Sequence, residues 1–121
     1  MKLKIVEDME EYRKESDKYV EEVISGKKKI DPERAKKTLI MTPHIFAKVF
    51  SPERIRLILY VKKNKENNIY KLAKELGRPY EGVHRDIKYL EGIGIIKIKT
   101  KDKKKIPTFS GPIEFPDFAV A

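Results

Sequence analysis

The sequence predicts a mainly helical α+β fold in which two helices joined by a tight turn run directly into a two-stranded hairpin. Three observations carry this expectation. Apolar residues recur at helical spacing on either side of the short turn "LGRPY" (Leu76–Tyr80). Ile95, Ile96 and Ile98 then give strand composition, and "IPTFS" gives a second strand beyond a charged tip. Ser51-Pro52, upstream, has the cap-then-proline form of a helix start.

The elements follow in order. Residues 6–25 read as a helix, with Val6, Met9, Tyr12, Ser16, Tyr19, Val20 and Val23 recurring at steps of three and four and Gly26 as its stop. "KKKIDPERAKK" reads as a basic linker or turn, and "TLIM" (Thr38–Met41) as a strand. Thr42-Pro43 opens a short helix over 43–50, and Ser51-Pro52 a longer one over 52–64 with Ile55, Ile58 and Leu59 inward. "KENN" is a polar turn. Ile69, Leu72, Ala73 and Leu76 mark about two helical turns, and Gly77 suits a left-handed C-terminal residue. Pro79 suits the first turn of the next helix, whose inward stripe is Val83, Ile87 and Leu90 and whose end lies near Gly92–Gly94. "TKDKKK" forms the hairpin tip, and Pro107 points to an edge position or a strand start. The tail, with two prolines, is extended with a brief strand at 113–115. Helix, helix, turn, helix and hairpin in this order make a winged helix-turn-helix with an added N-terminal helix. The expected division is 1–37, an N-terminal helix and basic linker that can dimerise, and 38–121, a winged-helix domain with a C-terminal extension.

Length and charge narrow the function. A chain of 121 residues supports a core of modest size. The net charge of +9 is unevenly spread. Residues 1–26 hold 5 basic and 8 acidic side chains, whereas residues 95–106 hold 6 basic and 1 acidic. A basic middle with acidic ends points to a polyanion partner. The absence of cysteine removes disulfides and thiolate metal sites. His44 and His84 are far apart in sequence, so no metal or other cofactor is expected. No phosphate loop, nucleophile elbow or dinucleotide fingerprint occurs, and the carboxylates of "EDMEE" lie on a charged helix face, so no catalytic residue and no enzyme is expected. No apolar run reaches membrane-spanning length, and "MKLKIVEDMEEY" turns acidic at once, so a cytoplasmic protein without membrane contact is expected. Abundant Lys, Glu and Ile is the hyperthermophile pattern, although an AT-rich genome favours Lys and Ile as well.

"IYKLAKELGRPYEGVHRDIKYLEGIGIIKI" resembles the core of prokaryotic winged helix-turn-helix transcriptional regulators of the MarR/ArsR-like type. More narrowly, Ser51-Pro52-Glu53-Arg54, Leu72-Ala73-Lys74-Glu75-Leu76-Gly77-Arg78 and Val83-His84-Arg85-Asp86 with Leu90 resemble small archaeal and bacterial regulators described as antitoxins. The resemblance spans residues 38–115 and departs at Gly92-Ile93-Gly94, where the group has a single glycine; the extra one loosens the helix end. It implies a DNA-binding regulator, a dimeric repressor, or alternatively a protein-interaction module that binds a toxin.

The residues themselves give the sites. On the helix from Tyr80, Glu81, Arg85 and Lys88 point outward, with His84 at the boundary. First-turn residues of such a helix reach base edges. Arg85 suits the two-pronged contact with guanine, and His84, Lys88 and Tyr89 suit phosphates. Glu81 suits the helix dipole more than cytosine. Asp86 does not share the face of Arg85, and pairing with Lys or Arg of a neighbouring helix is its expected role. Arg78 and Tyr80, which flank the turn, are expected DNA contacts as well. In the hairpin, Lys99, Lys101, Lys103, Lys104 and Lys105 suit the sugar-phosphate backbone; the alternatives are a solvated face and a solubilising tip. Val6, Met9, Tyr12, Tyr19, Val20 and Val23 are the expected dimerisation stripe. The expected partner is double-stranded DNA bound by a homodimer. The tail "IEFPDF" is the segment suited to a protein partner. No RNA-stacking aromatic motif is evident, which places RNA below duplex DNA.

Overall fold

The computed structural model describes residues 1–29 and 38–115, and the fold is α+β. Its described elements are β1 (Lys2–Ile5), α1 (Met9–Ile24), β2 (Thr38–Met41), α2 (Pro43–Val49), α3 (Pro52–Lys63), α4 (Ile69–Leu76), α5 (Tyr80–Ile93), β3 (Ile96–Lys101) and β4 (Lys104–Phe109). They fall into two compact units. One comprises Met1–Ala47 with Pro112–Ala121, and the other Lys48–Gly111. The division between the units falls inside α2, and residues 112–115 group with the N-terminal elements.

The first unit begins with a strand where the sequence reading had none. β1 pairs in parallel with the expected strand β2, setting Leu3 against Leu39 and Ile5 against Met41. The Val6 amide donates to the Met41 carbonyl at 2.9 Å. The helix starts only at Met9, because the Asp8 carboxylate caps the amides of Glu10 and Glu11. Val6 thus extends a strand and drops out of the helical stripe. The tail strand contracts to one bridge, Lys2 with Glu114. Among the described residues of this unit, Leu3, Leu39 and Met41 are the buried apolar side chains, and Phe46 meets Phe115 edge-on at 6.3 Å. α1 has no buried residue: Tyr12, Tyr19 and Val23 are half-buried, while Met9, Val20 and Ile24 are exposed. Of the basic linker, residues 27–29 are exposed and the rest lies outside the described residues.

The second unit holds the larger core. Ser51 caps α3, Asn68 caps α4, and Gly77 and Gly94 end α4 and α5 in the left-handed region. Val83, Ile87 and Leu90 are fully buried, as the spacing requires. α3 departs from expectation. Ile58 is buried, but Ile55 is 42% and Leu59 60% exposed, and Leu57 and Val61 fill the core instead. The run "RIRLILYV" carries apolar residues on both faces, so periodicity alone does not fix its phase. Arg54 takes the inward position one turn before Leu57 and Ile58, because its partner Asp86 is buried there.

α4 packs on α5, and β4 packs on α3 and α4. β3 and β4 pair antiparallel from Ile96 opposite Phe109 to Lys101 opposite Lys104. Pro107 is buried within β4, as a two-stranded sheet, all edge, permits. The tip is shorter than "TKDKKK": only Asp102 and Lys103 turn, with φ of 51° and 65°, the backbone of a type I′ hairpin. A lysine there costs ~1–2 kcal/mol against the left-handed region, whereas glycine gives back ~0.5–1 kcal/mol in unfolded-chain entropy. Lys103→Gly should therefore raise unfolding stability by ~0.5–1 kcal/mol in urea titrations; unchanged or lower stability would show that the turn carries no such strain.

Candidate nucleic-acid interface

The second unit presents one face of α5 to solvent. Its inward stripe of Val83, Ile87 and Leu90 leaves Glu81, Arg85 and Lys88 outward and exposed. His84 is half-buried, and its ring stacks on Tyr80 at 5.7 Å between centroids with 26° between planes. Tyr80 in turn lies 6.4 Å from Tyr70 of α4. The row Tyr70–Tyr80–His84 thus spans both helices flanking the turn, with Tyr70 69% and Tyr80 46% exposed. Tyr70 escaped the sequence reading because the proximity that makes it notable arises only when the turn closes.

Behind α5 lies an ionic cluster. Asp86 is buried and receives Arg78 Nη2 at 2.9 Å and Arg54 Nε at 3.4 Å. Arg54 also donates to the Lys48 carbonyl, and its guanidinium lies 4.2 Å over the Tyr89 ring. Glu53 stands 3.7 Å from Arg78. The expected structural pairing of Asp86 is present. It also engages Arg78, one of the expected DNA contacts, and fixes the turn between α4 and α5 to α3. Arg54 is the residue the sequence reading missed here, although the motif Ser51-Pro52-Glu53-Arg54 contained it.

The hairpin lysines do not form a single cluster. Successive strand residues point to opposite faces, so Lys99, Lys101 and Lys104 share one face with Lys97, while Lys105, opposite Thr100, lies on the other. Lys101 bonds Glu66 at 3.0 Å, and this ammonium holds the Glu66 carboxyl below the usual carboxylate range. Lys88 pairs with Glu91 at 3.4 Å, a weak exposed contact. Lys103 sits at the tip, exposed. Lys99 lines an open groove of about 460 Å³ with Lys62 and Lys65. Lys104 lines another of about 770 Å³ with Glu66, Asn68, Tyr70, Lys71, Lys74 and Glu75.

Residues 49–111 match the family model HVO_A0114. The chain belongs to the HVO_A0114 family. The matched span is just over half of the chain and coincides almost to the residue with the second compact unit. The HVO_A0114 segment therefore carries α3 to β4, the Asp86 cluster, the aromatic row and all the hairpin lysines. No curated protein matches the chain. Among the described residues, no group of three or more His, Asp and Glu is placed to hold a metal ion, and no helix is long and apolar enough to cross a membrane.

Proposed function

We propose that the protein is a sequence-specific DNA-binding transcriptional regulator, acting as a dimeric repressor, with Lys48–Gly111 forming a winged helix. The motifs Ser51-Pro52-Glu53-Arg54, Leu72–Arg78 and Val83–Asp86 with Leu90 support this reading by their resemblance to MarR/ArsR-like regulators and antitoxin-type relatives. The observation that carries this reading is the placement of Arg85. It stands exposed on α5, across the helix from a buried stripe and on the same outward face as Glu81 and Lys88. A guanidinium held so can reach guanine O6 and N7 in the major groove. Lysines of the hairpin supply backbone contacts that add affinity without sequence information. Repression is then steric: an occupied operator excludes polymerase. None of this requires a catalytic residue.

The test separates the two kinds of contact. Arg85→Ala should cost ~1–3 kcal/mol of binding to a selected operator and relax specificity. Replacing Lys103, Lys104 and Lys105 by alanine should weaken all duplexes alike and flatten the salt dependence. Identical profiles from the two variants would make Arg85 another phosphate contact. For the wild type, a dimer neutralising about six phosphates gives a log–log salt slope near −5 on duplex DNA. A slope near zero between low and physiological salt would rule out the duplex reading.

A second reading is a protein-interaction module, such as an antitoxin docking on a toxin. The exposed Met9, Val20 and Ile24 of α1 and the exposed Phe115 favour a protein contact. Retention on heparin with elution by salt discriminates for nucleic acid against it.

A further inference from the structure

We infer that the groove along the outer face of α4 takes single-stranded DNA, as a continuation of the surface that α5 offers to duplex. The inference rests on the DNA-binding reading above and deepens it. Four features make the groove suited to this ligand. Tyr70, 69% exposed, forms one of its walls and carries on through Tyr80 to His84 on α5. Its ring lies 6.4 Å from Tyr80, and the buried face of α4 is filled by Ile69, Leu72 and Ala73, so most of the Tyr70 ring stays open to a ligand. An exposed ring is a stacking platform for any base.

The charges around it are the second feature. Lys71, Lys74 and Lys104 line the groove with Glu66 and Glu75. Glu66 is neutralised by the Lys101 ammonium at 3.0 Å, whereas Glu75 accepts from the neutral Asn67 side-chain amide at 3.1 Å and keeps its charge, one carboxylate against three lysines. The three lysines have no acidic partner among the described residues. The groove is thus cationic towards a ligand although its wall includes carboxylates. The third feature is size, because about 770 Å³ of open space accommodates a nucleotide and its neighbours. The fourth is shape. Tyr80 and His84 are already stacked on one another at 5.7 Å, which leaves no room for a base between them, so a base adds to the outer ring, Tyr70. Duplex bases are stacked internally and do not offer their faces sideways. The ligand that uses Tyr70 is therefore an unpaired strand, as at an overhang or an opened operator.

Fluorescence anisotropy on the full chain tests this with labelled dT20, an rU20 oligonucleotide and a random-sequence duplex. Wild type should bind dT20 with salt-dependent affinity. Tyr70→Ala should weaken dT20 binding by about 10-fold and duplex binding by less, whereas Tyr70→Phe, which keeps the ring, should bind dT20 as wild type does. Ultraviolet crosslinking of bound dT20 should place the adduct on the peptide containing Tyr70. Unchanged dT20 affinity in Tyr70→Ala, or duplex binding with no dT20 binding, overturns the inference and leaves the duplex reading standing. Binding to neither oligonucleotide overturns both. Much tighter binding of rU20 than of dT20 overturns the assignment to DNA. Tyr70 is exposed, so circular dichroism of the alanine variant should match wild type and keep these outcomes interpretable.

Discussion

Asp86→Ala should lower the unfolding free energy by about 3–5 kcal/mol, because removing one member of a buried ionic cluster leaves the opposite charges uncompensated. The carboxylate is buried on the inner side of α5 and takes Arg78 at 2.9 Å and Arg54 at 3.4 Å. Without it the two guanidinium groups face one another, and among the described residues the exposed Glu53 carboxylate, 3.7 Å from Arg78, is the acid left paired with them. Small domains have ~5–15 kcal/mol in total, so the loss is a large share of the stability. Asp86→Asn removes the charge but keeps an oxygen acceptor and should fall between the two. Urea unfolding followed by circular dichroism measures both. A drop below ~1 kcal/mol for the alanine variant would show that the arginines relax into solvent and that the cluster contributes little. The same cluster holds the turn before α5 to α3. Under conditions where Asp86→Asn is folded, its duplex affinity should fall although Arg85 and the hairpin lysines are intact. Wild-type affinity would separate the cluster from DNA reading altogether.

What the sequence made legible follows a simple division. Local devices were readable: the proline-marked starts of α2 and α3, Gly77 and Gly94 closing two helices, and the Val83–Ile87–Leu90 stripe each act within a turn or two of the chain. Features that depend on a distant partner were not. β1 is four residues long and acquires its meaning from β2, on the far side of α1. Arg54 points inward only because Asp86 is buried on another helix, and that displaced Ile55 and Leu59 to the surface. The two-residue tip lacks glycine, so the lysine run hid the extent of the strands. The candidate site divides in the same way. Arg85 and Lys88 followed from helical phase, whereas Tyr70 and the pairing of Lys101 with Glu66 required the folded neighbourhood.

Val20→Asp combined with Ile24→Asp should convert a dimer into monomers and reduce operator affinity by ~10²–10⁴-fold, the loss expected when two linked half-site contacts become independent. The motive is α1. Its apolar stripe contributes no buried residue, and Val20 and Ile24 are 49% and 81% exposed. Tyr12, Tyr19 and Val23 are half-covered on the same helix, and Tyr12 lies under the Lys4 ammonium at 5.1 Å. The proposed occupant of this face is the same helix of a second copy. A two-fold arrangement apposes identical stripes, and each large apolar side chain buried there contributes ~1.5–3 kcal/mol before association costs. Deleting residues 1–26 is the poorer test, because β1 leaves with α1 and uncovers Leu39 and Met41 in β2. The paired aspartates alter only exposed positions, so the fold should be retained by circular dichroism. Sedimentation then gives the mass directly. A wild-type protein that sediments as a single chain at concentrations where it binds DNA would defeat the idea, as would a double variant that remains dimeric. With a folded monomer in hand, Arg85, Lys88 and the hairpin lysines are all still present. The affinity that is lost then measures what the second copy contributes.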